Sequence, residues 1–556
     1  CSFSVGAIQE NKETILNCFE EAESVESDIV IFPELAITGY PPEDLLLRES
    51  FIGKNFAVLE EIAAFSSHTS GVIGFVDRKN DPHNQDNNKR TIANAAAIVQ
   101  NGDVRGIYHK SFLPNYSVFD EARYFSKGTE PNTLFWYDDI AIGINICEDI
   151  WIEDGPAEEQ VKQGASLIIN INASPYDIHK SETRKEIVMK KALKLNVPII
   201  YLNMVGGQDE LVFDGGSFVV NDLGEIIYQA SSFKEEVFHL DIDLRTNKQN
   251  DKSPLIIRPK TIELKDVESK ASLSKNESIY SALKLGLKDY VRKNKFTKVL
   301  IGISGGIDSA LTAAICVDAL GAENVIGVAM PSKYNSKDSL DDAIKLSDNL
   351  GITLKTIEIE KLVDDFRETL TNSLNEDLGQ ITDENIQSRV RGNILMGLSN
   401  QTGAMVVSTG NKSEMAVGYS TLYGDLAGGF ALIKDLYKTK VYELSNYINS
   451  ISDAIPKNII TKEPSAELRP NQFDSDSLPD YEVLDKILNL YIEEDSSSEK
   501  IIASGVNPDL VFDVLKKVDR NEYKRKQVAP GVKLTQKAFG KDRRMPITNT
   551  YIRQKE

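Results

Sequence analysis

Residues 299–312 read VLIGISGGIDSALT, and this stretch decides how the second half of the chain folds. The apolar run predicts a buried strand, and the residues from Asp308 onward predict a helix. The Ser-Gly-Gly turn between them lets backbone N–H groups close on an anion at the start of that helix. No lysine follows Gly306, so the loop is not built to grip a γ-phosphate. A plain strand–turn–helix link is the alternative, and the complete pattern favours an anion site.

Strands and helices alternate outward from this stretch. Predicted helices are 276–294, 308–321 and 339–351, and predicted strands are 298–304, 324–332, 352–359 and 404–411. This order is typical of a doubly wound parallel sheet, whose ligands bind beyond the carboxyl ends of the strands.

The first 245 residues follow a different pattern of short apolar runs and amphipathic stretches. Strands are predicted at 2–8 (SFSVGAI), 28–35, 71–77, 93–100, 140–147, 166–173 and 198–204, helices at 11–23 and 182–196, and hairpins at 96–108 and 217–229. We expect an α/β domain with helices covering a sheet sandwich. A polar, Lys- and Ser-rich stretch follows. The predicted organisation is therefore a domain at 1–245, a linker at 246–275 and a second domain at 276–556.

Composition restricts the possible functions. The 63 Lys and Arg against 84 Asp and Glu give a net charge of −21, which argues against nucleic acid or anionic membranes as partners. No apolar run approaches the ~20 residues of a membrane helix. Four cysteines in 556 residues make no disulfide framework, so we expect a cytoplasmic protein. No Cys/His cluster has zinc spacing, and an oxygen-ligated Mg²⁺ is the expected metal.

Three reactive side chains follow predicted strands in the first domain: Glu34, Lys110 and Cys147. A carboxylate just beyond an apolar run is a candidate base, and a thiol at a strand end is a candidate nucleophile. Each has an ordinary alternative when taken alone: a capping acid, a surface lysine and a core cysteine. Their combination favours a shared catalytic site.

The segments IFPELAITGYPPEDLL, YHKSFLPNYSVFDEARYF and IGINICEDIW resemble the nitrilase, or carbon–nitrogen hydrolase, superfamily. The resemblance implies an α-β-β-α sandwich and a Glu-Lys-Cys site in which Glu34 is the base, Lys110 stabilises the oxyanion and Cys147 attacks an amide carbonyl. By the same resemblance Glu121 orients Lys110. LPNYSVFDE resembles the glutaminase branch that feeds synthetases, so Tyr116, Ser174 and Lys180 are the expected contacts of glutamine.

SGGIDS resembles the PP-loop of ATP pyrophosphatases, and segments at 330–336, 382–393, 408–444, 462–470, 476–481 and 537–548 resemble NAD synthetases. The resemblance implies ATP contacts at Gly302, Ser304, Gly305, Gly306, Asp308, Ser309, Met330 and Thr409. It implies contacts with deamidated dinucleotide at Asn385, Glu414, Asp425, Lys434, Asp435, Lys524 and Asp542. Asp308 and Glu414 are the expected Mg²⁺ ligands, although Glu414 could instead contact the dinucleotide.

Together the two halves resemble the family of glutamine-dependent NAD(+) synthetases over nearly the whole chain. This implies a ligase that hydrolyses glutamine and uses the ammonia, with ATP, to amidate nicotinate adenine dinucleotide, giving NAD⁺, AMP and pyrophosphate. It also implies a homo-oligomer through the synthetase domain. Two alternatives are a PP-loop enzyme that modifies tRNA and an amidase with a regulatory nucleotide-binding domain. The acidic charge and the absence of a CxxC pair count against the first, and the intact synthetase segments count against the second.

Overall fold

A computed structural model describes residues 1–79, 91–137, 139–244 and 269–551. The chain forms two compact units. Unit 1 comprises Cys1–Gln208 and Val212–Leu273, and unit 2 comprises Asp209–Leu211 and Ser274–Glu556. Most of the predicted linker, up to residue 268, lies outside the described residues.

Unit 1 is a sandwich of two sheets covered by helices. Its strands are β1 (Ile29–Ile31), β2 (Ser70–Lys79), β3 (Thr91–Gln100), β4 (Asp103–His109), β5 (Leu134–Tyr137), β6 (Ile140–Ile146), β7 (Leu167–Asn172), β8 (Ile199–Asn203), β9 (Val205–Gln208), β10 (Leu211–Asp214), β11 (Phe218–Val220) and β12 (Ile226–Gln229). Its helices are α1 (Ile8–Ser24), α2 (Glu49–Phe65), α3 (Pro156–Lys162) and α4 (Lys180–Leu195).

The two large sheets of unit 1 have the orders β1-β2-β3-β4 and β12-β11-β8-β7-β6-β5, and β9 pairs with β10. One apolar core joins residues of both large sheets, among them Val72 of β2, Ile98 of β3 and Ile144 of β6. A second core packs Val188 and Ala192 of α4 on the outer face of the larger sheet. The predicted sandwich with covering helices is confirmed, and so are both predicted hairpins.

The strand predicted at residues 2–8 is wrong. This segment is irregular, and α1 begins at Ile8. Gly6 has a φ of +80° and donates its N–H to the Thr38 carbonyl at 3.0 Å, while the Asn11 side chain binds both backbone groups of Ser4. The apolar residues are thus buried by a turn at the start of α1, without strand pairing.

Unit 2 has one parallel sheet of order β15-β14-β13-β16-β17. Its strands are β13 (Val299–Gly302), β14 (Val325–Ala329), β15 (Thr353–Thr356), β16 (Met405–Ser408) and β17 (Phe430–Ala431). Its helices are α5 (Lys275–Lys293), α6 (Ile307–Leu320), α7 (Lys337–Leu350), α8 (Glu360–Leu374), α9 (Gln380–Thr402), α10 (Lys412–Val417), α11 (Lys438–Ser452), α12 (Lys457–Thr461), α13 (Tyr481–Leu488), α14 (Ser498–Ala503), α15 (Pro508–Arg520) and α16 (Glu522–Arg525).

The strand order reverses beside β13, so the predicted doubly wound sheet is confirmed. A C-terminal group of helices adds its own apolar core, which includes Leu484, Val514 and Val518. Within the described residues, no helix combines the length and apolar composition that crossing a membrane requires.

Gly74 of β2 lets the turn after β1 pass directly over the sheet. A Cβ at this position would lie 2.3 Å from the Pro33 carbonyl oxygen and 2.4 Å from the Leu35 nitrogen. We therefore expect Gly74→Ala to lower the free energy of unfolding by about 1–3 kcal/mol, as overpacking does. Urea unfolding measures the loss, and faster hydrogen exchange in β2 locates it.

Gly53→Ala is the matched control for this substitution. Gly53 lies inside α2, and nothing stands within 4 Å of its added Cβ. This variant should be stabilised by up to about 1 kcal/mol, because alanine favours a helix interior. Equal effects of the two variants would contradict the close approach at Gly74.

Candidate active sites

The first candidate site lies at strand ends of unit 1. Glu34 follows β1, Lys110 comes directly after β4, and Cys147 comes directly after β6. All three side chains are buried, and Lys110 is 0% exposed. The structure thus brings the three predicted residues into one enclosed place.

Lys110 is held between two carboxylates. Its Nζ donates to Glu34 Oε1 at 2.7 Å and to Glu121 Oε1 at 2.9 Å. Burial alone would lower the pKa of Lys110, but the charges of Glu121 and Glu34 outweigh it and raise that pKa well above its ordinary value. The lysine is therefore a permanent cation.

The two carboxylates have different surroundings. Glu34 also accepts Asn94 Nδ2 on Oε1 at 2.7 Å and the Ala173 N–H on Oε2 at 3.0 Å. Glu121 accepts the Tyr40 hydroxyl at 2.9 Å, and its Oε2 is buried without a hydrogen-bond partner among the described residues. Burial raises the pKa of Glu121 to about 7, against the opposing pull of Lys110.

Cys147 combines a strained backbone with a protonated thiol. Its φ is +46°, in the left-handed region, where the short 3-10 turn Cys147–Trp151 begins. Burial, and then the charge of Glu34, raise the pKa of the thiol well above its ordinary value, against the opposing charges of Lys110 and Lys180. This sulfur therefore needs a base before it can act as a nucleophile.

The three predicted glutamine contacts differ in exposure and in their partners. Ser174 is buried, and its Oγ accepts Arg184 Nε at 3.2 Å. Lys180 begins α4, and its Nζ lies 5.3 Å from the centre of the Phe119 ring. Tyr116 is 56% exposed and donates its hydroxyl to Glu148 at 3.0 Å.

Arg184 is a residue that the sequence did not single out. Its guanidinium donates to both oxygens of Asp214, at 2.6 and 2.8 Å, and to the carbonyls of Ser174 and Pro175 at 2.7 and 2.8 Å. It therefore fixes the segment that also gives the Ala173 N–H to Glu34.

The second candidate site is the Ser-Gly-Gly turn between β13 and α6. Ser309 Oγ accepts the Ser304 N–H at 3.3 Å and donates to the Gly306 carbonyl at 2.9 Å. Gly305 has a φ of +81°, and a Cβ there would lie 2.2 Å from the Ser339 carbonyl oxygen. Only glycine fits this turn, which directs the start of α6 toward the space beyond the sheet.

A cavity of about 310 Å³ opens at this turn, beyond the ends of β13, β14 and β16. The predicted residues that line it are Gly302, Ser304, Gly306, Asp308, Ser309, Met330, Thr409, Glu414 and Asp425. Gly305 lies in the turn but does not line the cavity. The space has the size and position of a small-ligand site in a doubly wound sheet.

Two acids and one lysine form the polar end of the cavity. Lys438 Nζ donates to Asp308 Oδ2 at 2.5 Å and to Glu414 Oε1 at 3.4 Å, while Asn411 Nδ2 binds Asp308 Oδ1 at 2.9 Å. Burial, and then the charge of Asp308, raise the pKa of Glu414 to about 8. The sequence did not single out Lys438, which stands 130 positions from Asp308.

The donor set at this end fits Mg²⁺. Two carboxyl groups face one lysine, so oxygen ligands are available for a hard cation, which would displace the proton of Glu414. Among the described residues, no group of three or more histidine, cysteine, aspartate or glutamate side chains could hold a metal ion. One or two carboxylates together with substrate phosphates are the usual ligands of Mg²⁺.

Three predicted dinucleotide residues converge on the loop at 418–425. Asn385 Oδ1 accepts the Thr421 hydroxyl at 2.8 Å, and Asp425 Oδ1 accepts the Thr421 N–H at 2.7 Å. Lys524 Nζ donates to the carbonyls of Gly418 and Ser420 at 2.8 and 2.7 Å. Of these three, only Asp425 lines the cavity.

The other predicted dinucleotide residues lie in a separate buried network. Asp435 accepts the N–H groups of Leu534 and Thr535 at 2.7 and 2.8 Å. Asp542 accepts the Ala538 N–H at 2.8 Å, and Lys434 donates to the Ala529 carbonyl at 3.1 Å. These residues do not line the cavity.

The cavity also contains basic groups that the sequence did not reveal. Arg391 donates to the Met330 carbonyl at 3.0 Å and to Asn335 Oδ1 at 3.1 Å, and burial lowers its pKa to about 10. Lys462 lies 3.2 Å from Glu467 Oε1. Both cations lie in segments that resemble NAD synthetases, but the contacts of Arg391 are with backbone or with residues distant in the chain, which the sequence does not show.

The comparisons with known proteins agree with this arrangement. The carbon–nitrogen hydrolase model matches residues 4–249, and the NAD synthase model matches residues 279–528. The glutamine-dependent NAD(+) synthetase of Aquifex aeolicus is 44% identical over 99% of this chain and 98% of its own length. The corresponding protein of Thermotoga maritima is 46% identical over 99% and 97%.

A solved structure extends this similarity to the fold. The glutamine-dependent NAD(+) synthetase of Acinetobacter baumannii, in complex with ADP, has a TM-score of 0.75 and 42% identity, covering 99% of this chain and 97% of that one. The two family models and the relatives that cover 99% of this chain identify its family. It belongs to the family of glutamine-dependent NAD(+) synthetases.

Proposed function

We propose that the chain hydrolyses glutamine at Cys147 and uses the ammonia, with ATP bound in the cavity of unit 2, to convert nicotinate adenine dinucleotide to NAD⁺. The burial of Cys147, Lys110 and Glu34 in one site is the observation that carries the first half of this proposal. The full-length similarity to glutamine-dependent NAD(+) synthetases favours this reaction over the tRNA-modifying and regulated-amidase alternatives.

Glutamine hydrolysis begins with proton transfer from the Cys147 thiol to Glu34. The thiolate attacks the amide carbon, and the Lys110 ammonium stabilises the oxyanion. Glu34 returns its proton to the leaving nitrogen, ammonia departs, and water hydrolyses the thioester to glutamate. Glu121 holds Lys110 in place through its 2.9 Å contact.

Glutamine is bound by Lys180, Tyr116 and Ser174. Lys180 has a positive charge that suits the substrate carboxylate. Tyr116 and Ser174 supply hydroxyl groups at an exposed and a buried position. Arg184 supports this site through its bond to Ser174 Oγ.

ATP binds at the Ser-Gly-Gly turn after β13. The backbone and hydroxyl groups of Ser304, Gly305, Gly306 and Ser309 cradle the phosphates at the start of α6. The nucleoside contacts come from three residues at the ends of the strands that border the cavity. These are Gly302, Met330 and Thr409.

Asp308 and Glu414 would hold Mg²⁺, with Lys438 beside them. When bound, the ion neutralises the phosphate charge that gathers during adenylate formation. The nicotinate carboxylate attacks the α-phosphate of ATP, pyrophosphate leaves, and ammonia then displaces AMP from the adenylate. Asn385, Asp425 and Lys524 shape the loop that faces the dinucleotide. Lys434, Asp435 and Asp542 also remain proposed contacts of the dinucleotide, although they lie in a buried network outside the cavity.

We also propose a cytoplasmic location and a homo-oligomer formed through the synthetase half. The cysteines of the described chain are free, as a reducing compartment requires. The oligomer remains a prediction from the family resemblance.

Cys147→Ala tests the division of labour between the two units. We expect NAD⁺ formation with glutamine to fall by at least about 1000-fold, because the nucleophile is lost. Formation with ammonium should remain within twofold of the unmodified enzyme. NAD⁺ and AMP are measured with ATP, Mg²⁺ and nicotinate adenine dinucleotide. Cys18→Ala, a change in the α1 core, is the matched control. Absence of NAD⁺ with either donor in the unmodified enzyme would refute the proposal.

Gly305→Ala tests the phosphate turn. The added Cβ would collide with the Ser339 carbonyl, so the turn must move. We expect the KM for ATP to rise about 10- to 100-fold, equally with glutamine and ammonium, because a small displacement of a binding group has this effect. Gly397→Ala is the control, since nothing lies within 4 Å of its Cβ. An unchanged KM would exclude a phosphate-binding role for the turn.

Glu414→Gln tests the charge balance at the metal end. The folded protein holds a proton on Glu414 up to a pKa of about 8, whereas the unfolded chain releases it near the ordinary value of 4.5. The free energy of unfolding therefore falls as pH rises through this window. The substrate-free variant, which cannot ionise, should be more stable than the unmodified protein at pH 8 and similar to it at pH 5.

Thermal unfolding of the full chain at pH 5 and at pH 8 measures this difference in stability. Glu376→Gln, at an exposed position, should change neither value. A Glu414→Gln variant that is less stable than the unmodified protein at pH 8 would contradict the raised pKa.

A further inference from the structure

One buried carboxylate joins the two segments that carry Lys110 and Cys147. Asp149 is 0% exposed and lies two residues after the nucleophile. Its Oδ2 accepts the Ile146 N–H at 3.1 Å and the Tyr108 hydroxyl at 2.9 Å. Its Oδ1 accepts the N–H groups of Ser111 and Phe112 at 3.1 and 2.9 Å.

These donors surround the reactive residues in the chain. Ile146 immediately precedes Cys147, while Tyr108 and Ser111 lie on either side of Lys110. The turn that returns Asp149 to the Ile146 N–H contains the left-handed Cys147. Such a backbone conformation is strained for a residue other than glycine and persists only where its surroundings enforce it.

A carboxylate matches this environment better than an amide does. All of the contacting groups are donors, and an ionised carboxylate is acceptor-only with about four lone-pair sites. If asparagine replaced Asp149, its NH₂ group would take the place of one acceptor oxygen. That donor would then face the Ile146 N–H, which is itself a donor. Burial raises the pKa of Asp149 to about 6, and its hydrogen bonds and the charge of Lys110 oppose a larger rise. A pKa of about 6 leaves most of this group ionised at pH 7.

We infer that Asp149 is a positioning residue for glutamine hydrolysis, which fixes the oxyanion-binding Lys110 and the nucleophile Cys147 relative to each other. It acts through the backbone on both sides and need not touch the substrate. The inference rests on the glutaminase chemistry proposed above.

Asp149→Asn in the full chain tests this inference. Glutamine hydrolysis is measured with ATP, Mg²⁺ and nicotinate adenine dinucleotide present, and NAD⁺ formation is measured in parallel with ammonium. We expect kcat for glutamine to fall about 10- to 100-fold, as a misplaced reacting group predicts. KM for glutamine and the rate with ammonium should remain within threefold of the unmodified enzyme.

Two further variants make the result specific. Asp154→Asn changes an exposed aspartate of the same loop and should leave every rate unchanged. Tyr108→Phe removes one of the donors but keeps the others, so kcat should fall less than in Asp149→Asn. It also serves as the test should Asp149→Asn fail to fold.

The outcomes separate this inference from the proposed function. A kcat for glutamine within twofold of normal in Asp149→Asn would overturn the positioning role. A parallel loss of the ammonium-dependent rate would also overturn it, because the residue would then support the fold in general. Glutamine use that survives Cys147→Ala would instead refute the proposed chemistry itself.

Discussion

The first site depends on the ion pairs of the buried Lys110 ammonium with the carboxylates of Glu34 and Glu121. Removing one partner from such a buried group leaves an uncompensated charge and costs about 3–5 kcal/mol. Further hydrogen bonds satisfy the buried carboxylates, because Asn94 and the Ala173 N–H bind Glu34 and Tyr40 binds Glu121. The same burial keeps the neighbouring Cys147 thiol protonated, so the proposed reaction requires Glu34 close enough to take its proton.

The second site repeats this arrangement, because one lysine again lies between two acids. Asp308 and Glu414 share one cation, Lys438, and the pKa of Glu414 is raised because burial and Asp308 leave its charge incompletely compensated. A site of this kind gains stability when a cation enters with the phosphates. In each site burial raises the pKa of one of the two acids, to about 7 for Glu121 and to about 8 for Glu414.

Much of this could be predicted from the sequence. The ends of predicted apolar strands indicate Glu34, Lys110 and Cys147 as site residues. The Ser-Gly-Gly turn indicates where the cavity lies. The strand at residues 2–8 was wrong because a Gly6 turn can bury apolar residues as well as a sheet can. Lys438 and Arg391 were missed because their partners lie far away in the chain. Asp149 was missed because its partners are mostly backbone amides, which leave no mark on the sequence.

Backbone donors also limit which residues each site requires. The Ala173 N–H serves Glu34, the Ser111 and Phe112 amides serve Asp149, and the Leu534 amide serves Asp435. Each non-proline residue supplies the same N–H, so these donor positions accept many side chains as long as the chain path is kept. The accepting carboxylates have no such freedom, and neither do glycines at close approaches, such as Gly74 and Gly305. The chemistry therefore depends on a few side chains and on an accurately folded backbone around them.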